Sequence, residues 1–319
     1  MAAYIVRRIA INVLVLWVIS LILFTVVQAA PGDPIRMMIP PSELNTGTEE
    51  YIAMRRHELG LDRPILVQYA AWLGNAVTGD LGSSFANGRA VSALIYERIG
   101  ATILLMGLGL LISISIAIPL GVWSAAKKNS AVDYVASVVS LSAVCTPPFF
   151  LGMVGIYVLS FKLGWLPSAG MSNPTAPGFV DSVQHLAMPA LILGFAGAGG
   201  LTRYVRSSVI SELRSDYVRT AESKGASGLR VLFGHVLRNA LIPIITVVAL
   251  SLPGLLAGAV VIEQVFAWPG MGQLAVSSVG RHDYPVIISF AMLVSVLVLV
   301  SNLVADVLYT VVDPRVDLG

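Results

Sequence analysis

Long apolar runs, separated by polar or charged segments, dominate the pattern of this chain. Six of these runs contain no Asp, Glu, Lys or Arg, and they are 17 to 28 residues long. A bilayer with a hydrocarbon core of roughly 30 Å is crossed by about 20 helical residues. The pattern therefore predicts an all-α polytopic membrane protein, with six transmembrane helices at residues 9–27, 99–126, 134–161, 186–202, 239–262 and 284–305.

Composition excludes an ordinary soluble protein. Of the 319 residues, 56% are hydrophobic and 12% are charged, and the mean hydropathy is +0.82. Soluble domains carry about 25% charged residues. The net charge of +2 gives no sign of a nucleic-acid partner, so membrane lipids are the expected surroundings. The single cysteine, Cys145, allows no disulfide within the chain.

One polar segment, residues 203–243, carries much of the basic charge. It holds seven of the chain's 20 Lys and Arg residues and three acidic residues. Loops rich in Lys and Arg stay on the cytoplasmic side during insertion. With this segment inside, six spans leave both termini in the cytoplasm and place twelve Lys and Arg residues on the inner side. The short outer loops then keep only Lys162 and Arg281.

The first apolar run has two interpretations. Residues 9–27 follow Arg7 and Arg8, and the sequence ending at Ala29 loosely fits a signal-peptide cleavage site. The apolar region of a signal peptide is normally shorter than this run. We therefore expect residues 1–30 to form an N-terminal transmembrane helix that begins inside the cell.

Residues 31–97 form a long polar segment with charges of both signs, and long segments are largely exempt from the charge rule. We expect it outside the membrane. The sequence predicts a helix at residues 49–59 stopped by Gly60, and a second helix beginning with Pro64. The second helix has an apolar face at Leu66, Tyr69, Ala70, Leu73 and Val77. This face packs either within a small self-contained cap or against another surface.

A short helix is predicted within the basic segment. Asp216 could cap its start and Gly228 could end it. Tyr217, Ala221 and Gly225 recur at every fourth residue, which places two small side chains on one face. The helix is either an amphipathic element on the membrane surface or a docking helix that lets a cytoplasmic partner approach closely.

Prolines, glycines and a few polar residues lie in or beside the spans. Gly254 and Gly258 match the small-xxx-small pattern of packed helices, whereas the prolines favour kinked helices along a translocation path. The prolines are Pro119, Pro147, Pro148, Pro189, Pro243 and Pro253. Glu263 follows the fifth predicted span. Asn302 and Asp306 share one face of the last span, where an interfacial or hydrogen-bonding role of Asp306 is favoured over proton coupling.

Motifs for catalysis are absent from the sequence. It contains no G-x-x-x-x-G-K-S/T loop for nucleotide phosphates, no H-E-x-x-H zinc motif and no G-x-S-x-G elbow with a plausible triad. We therefore expect a protein that is not an enzyme, without catalytic, cofactor-binding or metal-binding residues of its own.

Two runs in the basic segment resemble a known motif. Residues 217–225 (YVRTAESKG) and 235–243 (HVLRNALIP) are similar to the coupling-helix signature of permease subunits of ATP-binding-cassette (ABC) importers. They are most similar to the first (B-type) of the two permeases in the dipeptide and oligopeptide group. The resemblance assigns coupling to the ATPase to Tyr217, Arg219, Thr220, Ala221, Lys224 and Gly225.

Other parts of the chain resemble the same group. Residues 59–83 are similar to its external segment, which by this resemblance faces a substrate-binding protein. Residues 263–272 resemble its last external loop, and the resemblance places on the extracytoplasmic face Glu263, Phe266, Trp268, Pro269, Gly270 and Gly272. The C-terminal signature comprises Asn302, Asp306, Asp313, Pro314 and Arg315.

The resemblance implies a type I ABC importer permease fold in the bacterial plasma (inner) membrane. An extracytoplasmic segment, 31–97, would lie between the first helix and a five-helix permease core, 98–315, with a coupling helix at about 215–228. Implied partners are a second homologous permease, two ATPase subunits that bind ATP and Mg²⁺, and an extracytoplasmic substrate-binding protein. The implied cargo is a dipeptide or oligopeptide. Alternatives are a nickel chelate, glutathione or haem as cargo, and an ion-coupled secondary transporter.

Overall fold

A computed structural model describes residues 2–29, 35–36, 48–58 and 60–312. Regular structure in these residues is helical, apart from one antiparallel bridge between Ser83 and Ala90. The predicted all-α class is confirmed. The residues predicted for the C-terminal signature at Asp313, Pro314 and Arg315 lie outside the described residues.

Twelve α-helices can be followed along these residues, and two of them continue into π-helical turns. The helices are α1 (Ala2–Gln28), α2 (Thr48–Glu58), α3 (Ile65–Val77), α4 (Val91–Ala126), α5 (Ala131–Cys145), α6 (Pro148–Gly155, then π-helical Ile156–Lys162), α7 (Phe179–Leu213), α8 (Asp216–Ser223), α9 (Gly228–Val231, then π-helical Leu232–Val236), α10 (Leu237–Val265), α11 (Met271–Gly280) and α12 (Tyr284–Val312).

Within the described residues, five helices are long and apolar enough to cross a membrane, and a sixth span results if the bent pair α5–α6 counts as one. This pair bends by 97° at Pro147 and Pro148. A residue that precedes proline is pushed towards extended backbone, and Pro147 has φ −59° and ψ 135°. The predicted break within the third span is therefore confirmed.

Three predicted boundaries were wrong. The fourth span, expected at 186–202, is the 35-residue helix α7, which continues through Arg203 and Arg206 to Leu213. Glu263 lies inside α10 instead of after it. Pro64 precedes α3 and is not its first residue. The first two errors have the same cause. Each predicted span ended at the first charged residue, but a helix continues past that residue wherever packing supports it.

By its internal contacts, the chain divides into two compact units, Met1–Ala101 with Pro269–Leu297 and Thr102–Trp268 with Val298–Gly319. In the first unit, Tyr69, Trp72 and Leu73 of α3 pack on α1 and on the start of α12. The predicted apolar face was wrong in part, because Leu66, Ala70 and Val77 are exposed. The ring centroids of Phe24 and Tyr69 lie 5.6 Å apart, and Ile288 is buried beside them. Ser20 Oγ and Tyr69 Oη form a buried hydrogen bond of 2.7 Å. The predicted outer helix therefore packs on membrane helices instead of forming a separate cap.

In the second unit, glycines bring α7 into close contact with α4 and α5. A Cβ atom added at Gly121 would lie 2.7 Å from Val205 Cγ1, and one added at Gly194 would lie 2.5 Å from Ile112 Cγ2. At Gly199 it would lie 2.6 Å from the backbone oxygen of Ser140. Small residues of this kind let membrane helices approach backbone to backbone.

Replacing Gly199 by Ala is expected to destabilise the protein, because the new methyl group meets the backbone of α5. Overpacking of this kind costs about 1 to 3 kcal/mol. The matched control is Gly200→Ala, since nothing lies within 4 Å of a Cβ atom at Gly200. Thermal unfolding of the detergent-solubilised protein should show a lower midpoint for Gly199→Ala and no loss for Gly200→Ala. Equal midpoints for the two variants would contradict the close approach of α7 and α5.

Candidate functional site

The predicted coupling helix is present as α8, but its start differs from the prediction. Ser215 is the residue before the helix, with extended backbone at φ −73° and ψ 149°, and no side chain caps the first turn. Asp216 is the first helical residue, so the prediction that it caps the helix was wrong. Its carboxylate still lies in the first turn, where the helix dipole favours negative charge.

The end of α8 also differs from the prediction. Lys224 closes the helix, and Gly225 follows with φ +80°, a left-handed conformation that glycine adopts without strain. The backbone N–H of Ala226 donates to Ala221 O at 3.1 Å. The stop is therefore Gly225, whereas Gly228 begins α9. A side chain at Gly225 would strain the backbone, so a substitution there does not test docking alone.

The face with small side chains points into the protein. Val218 is 3% exposed, and Tyr217 and Ala221 pack beside it against the apolar core of the second unit. That core includes Val205 and Val209 of α7. Gly225, the other small residue of this predicted face, is exposed, so docking of a partner there stays a prediction. An amphipathic helix buries its apolar face on its own protein first.

The outward face of α8 is polar instead. Its exposed residues are Asp216, Arg219, Thr220, Glu222 and Ser223, followed by Lys224 and Gly225. Of the six residues predicted to couple to an ATPase, Arg219, Thr220, Lys224 and Gly225 are exposed, whereas Tyr217 and Ala221 support the helix from below. Their role in coupling stays a prediction. We call the five exposed residues of α8 the polar face.

A hydrogen bond ties α8 to the end of α7. Tyr217 Oη donates to Glu212 Oε2 at 2.7 Å. Burial, followed by this bond to a carboxylate, raises the pKa of Tyr217 above its ordinary value, so the phenol remains a donor at neutral pH. The bond therefore joins the first turn of α8 to the last turn of α7.

An ion pair in the second unit between the buried Asp133 and the half-buried Arg206 was not predicted. Asp133, in the first turn of α5, accepts hydrogen bonds from Arg206 Nε at 2.6 Å and Arg206 Nη2 at 2.8 Å. It also accepts from Ser124 Oγ and from the backbone N–H of Asn129. Sequence reasoning treated Arg206 only as part of a basic loop. The available signal was a lone acidic residue at the start of an apolar run, but its partner lies 73 positions away.

The residues predicted for the extracytoplasmic face are largely inside the protein. Glu263 and Trp268 are 0% exposed, Phe266 is 1% exposed, and Gly270 and Gly272 are also buried, with Pro269 half-buried. Thr102 Oγ1 donates to Glu263 Oε1 at 2.6 Å. These side chains are packing residues at and beyond the end of α10, and their side of the membrane stays a prediction.

At the other end of the chain, Asn302 and Asp306 lie half-buried on α12. Their place in the C-terminal signature and the interfacial role of Asp306 stay predictions. In the described part of the chain, no three His, Cys, Asp or Glu side chains come together in a way that could hold a metal ion.

A cavity of about 400 Å³ lies among α4, α6, α7 and α10 in the second unit. Its wall contains many small residues and two hydroxyls, Ser113 and Ser251, and no charged side chain. Gly200 and Gly254 open onto it, with nothing within 4 Å of an added Cβ atom, whereas Gly258 contacts Leu193. The two glycines of the small-xxx-small pattern therefore differ. Gly258 packs closely against Leu193, whereas Gly254 leaves the cavity wall open.

Apolar helices long enough to cross a membrane, with the short polar helix α8 following one of them, define a polytopic membrane protein. Residues 117–318 match the family described as "Binding-protein-dependent transport system inner membrane component", and residues 1–106 match its N-terminal part. This chain belongs to that family.

Curated relatives match along the whole chain. The oligopeptide transport system permease protein AppB of Bacillus subtilis (strain 168) is 43% identical over 319 residues, 99% of this chain and 100% of the relative. The glutathione transport system permease protein GsiC of Escherichia coli (strain K12) is 36% identical, over 99% of both chains. The di/tripeptide transport system permease protein DppB of Pseudomonas aeruginosa (strain UCBPP-PA14) is 34% identical, also over 99% of both.

A solved structure shares the fold. An inward-facing form of the MetNI methionine ABC transporter has a TM-score of 0.57 and 17% identity, and the match covers 69% of this chain and 96% of that chain. The expected type I ABC importer permease fold is confirmed.

Loosening the tie between α7 and α8 should be measurable. Tyr217→Phe removes the donor to Glu212 and keeps the ring, and a bond of this kind contributes about 1 kcal/mol. Backbone amides of α8 should therefore exchange with deuterium about fivefold faster in the variant. Tyr204→Phe, at an exposed position of α7, is the control and should exchange like the wild type. Unchanged exchange in Tyr217→Phe would show that packing alone holds α8.

Proposed function

We propose that this chain is a permease subunit of an ATP-driven importer of dipeptides and oligopeptides, and that it forms part of the translocation pore. One observation carries the proposal: a chain of this family ends a long span, α7, in a short helix whose outward face is polar and whose inward face is locked into the core. Another protein can bind the exposed face of such a helix. The helix can then move together with the span while its buried face stays packed.

The proposed partners are a second homologous permease, two cytoplasmic ATPases and an extracytoplasmic substrate-binding protein. The family's description, a binding-protein-dependent transport system, supports this set. The sequence has no phosphate-binding loop, so ATP and Mg²⁺ bind to the ATPases. This chain contributes the membrane path and the docking surface.

The proposed orientation places the polar face of α8 and both termini in the cytoplasm of a bacterial cell. The basic residues around α8 support this side, because Lys and Arg are retained inside during insertion. Residues 31–97 then lie outside, where α2 and α3 can receive a binding protein. The protein crosses the plasma membrane several times.

The proposed mechanism is mechanical. Closure of the ATPases around ATP displaces α8, and the Tyr217–Glu212 bond and the shared core carry that displacement to α7. Tilting of α7 and its neighbours changes the side to which the path is open. The ATPases must bind the polar face differently in their open and closed states, since a contact of equal strength in both states shifts nothing.

The proposed cargo is peptidic. Relatives named for oligopeptides and for dipeptides and tripeptides match this chain over 99% of its length. The uncharged wall of the cavity, with its glycines and two hydroxyls, suits cargo with varied side chains and a common backbone. Glutathione is the second candidate, because a relative named for it is 36% identical over 99% of this chain.

The docking role of the polar face can be tested by adding bulk. Thr220→Trp places a large side chain on the exposed face of α8 and leaves its buried face unchanged. We expect at least about a tenfold loss of co-purified ATPase, which corresponds to 1.4 kcal/mol, and a matching loss of ATP-dependent peptide uptake. The control is Lys128→Trp, another exposed position near the inner end of a span, which should assemble and transport like the wild type. Normal ATPase binding and uptake in Thr220→Trp would exclude this face as the docking site.

A further inference from the structure

The hydrogen bonds around Asp133 form a closed cluster, which we call the Asp133 cluster: Asp133, Arg206, Ser124 and the backbone of Asn129. Arg206 donates two hydrogen bonds, at 2.6 and 2.8 Å, and Ser124 Oγ and the Asn129 N–H donate at 2.6 and 2.9 Å. The carboxylate thus accepts four bonds, two at each oxygen. No acceptor position is left for a ligand, so the cluster is a joint between helices and not a binding site.

The cluster joins three elements of the second unit. Ser124 lies near the end of α4, Asp133 is in the first turn of α5, and Arg206 is on α7. Asn129 stands in the turn between α4 and α5 with φ +62°, a conformation that non-glycine residues rarely adopt. The turn is therefore held in shape by the same carboxylate that holds α7.

The ion pair is not needed to bring these helices together. Gly121 on α4 already lies against Val205, and Gly199 on α7 lies against Ser140 of α5. Burying the Asp133 carboxylate is also costly in desolvation, and an apolar pair of similar size often gives equal or greater stability. The two parallel hydrogen bonds from the Arg206 guanidinium to the Asp133 carboxylate add geometric specificity. They fix both the distance between α7 and α5 at this point and the rotation of one helix relative to the other.

The fork lies close to the proposed docking helix. Arg206 is seven residues before the end of α7, about 10 Å along its axis. Glu212, in the last turn of α7, holds Tyr217 of α8. A displacement of the polar face therefore reaches Arg206 through a short, hydrogen-bonded length of helix.

We propose that the Asp133–Arg206 fork is a positioning pair that makes the α4–α5 hairpin move as one body with α7 when α8 is displaced. This inference rests on the proposed function. Without the fork, α7 still packs on α4 and α5 but slides or rotates against them. Displacement of α8 then opens the path incompletely, and ATP is hydrolysed with less transport.

The test uses the assembled complex with its ATPases and binding protein in proteoliposomes. Uptake of a labelled peptide mixture is measured per ATP hydrolysed. The double variant Asp133→Leu/Arg206→Met keeps an apolar, well-packed contact, so assembly should remain at the wild-type level. Uptake per ATP should fall about tenfold, the size of effect expected from breaking a coupling contact. Arg206→Lys, which offers a point charge in place of a fork, should give an intermediate loss.

Arg203→Lys is the matched control, because Arg203 is exposed on α7 one turn before Arg206. It should retain the wild-type ratio. Full coupling in an assembled double variant would overturn the inference and leave the pair with a structural role only. A wild-type complex that hydrolyses ATP without any peptide uptake would instead contradict the proposed function itself. Measurements on wild-type and variant complexes therefore distinguish failure of this inference from failure of the proposed function.

Discussion

The close approach of α7 to α4 and α5 is the constraint on which the second unit depends. Glycines at three positions of these helices leave no room for a side chain, and the atoms they meet include backbone oxygens that cannot move aside. Lipid supplies no hydrophobic force between helices, so close packing of this kind is what holds spans together. The helix fixed in this way, α7, continues without a break through Arg203 and Arg206 to Leu213, and two residues separate it from α8.

Several buried polar groups of this unit form hydrogen bonds within the protein. A chain in hydrocarbon must satisfy its hydrogen bonds internally. Ser140 and Thr202 donate to the carbonyls one turn earlier in their own helices. Glu263 accepts from Thr102, and Asp133 is saturated by Arg206 and its neighbours. Charge is thus tolerated where it fixes one helix relative to another, which explains why the paired carboxylates lie at element junctions.

Much of the architecture could be predicted from the sequence. Length and hydropathy identify the spans, since crossing about 30 Å of hydrocarbon leaves few alternatives. The break at Pro147 and Pro148 follows from proline chemistry. The preference of glycine for helix ends also predicted a stop near the end of α8. The stop is Gly225 and not Gly228, and only the left-handed φ observed at Gly225 shows which glycine ends the helix.

The candidate site was harder to predict, because it depends on which neighbour each face meets. Spacing showed that Tyr217 and Ala221 share a face of α8, but not that this face packs on Val205 and Val209. Likewise, the family resemblance placed residues 263–272 in an external loop, yet Glu263 and Trp268 are fully buried. The partner of Asp133 lies in a different helix, and a single sequence carries no signal for such a pair.

The proposed function requires a cytoplasmic ATPase to bind the polar face of α8. Photocrosslinking tests this contact, with a photoreactive amino acid at Glu222, an exposed position of that face, and the same group at the buried Val218 as the reference. After illumination of native membranes, our account predicts a covalent adduct of position 222 with an ATPase subunit and none from position 218. Adducts of position 222 with lipid or an extracytoplasmic protein, and none with an ATPase, would contradict it.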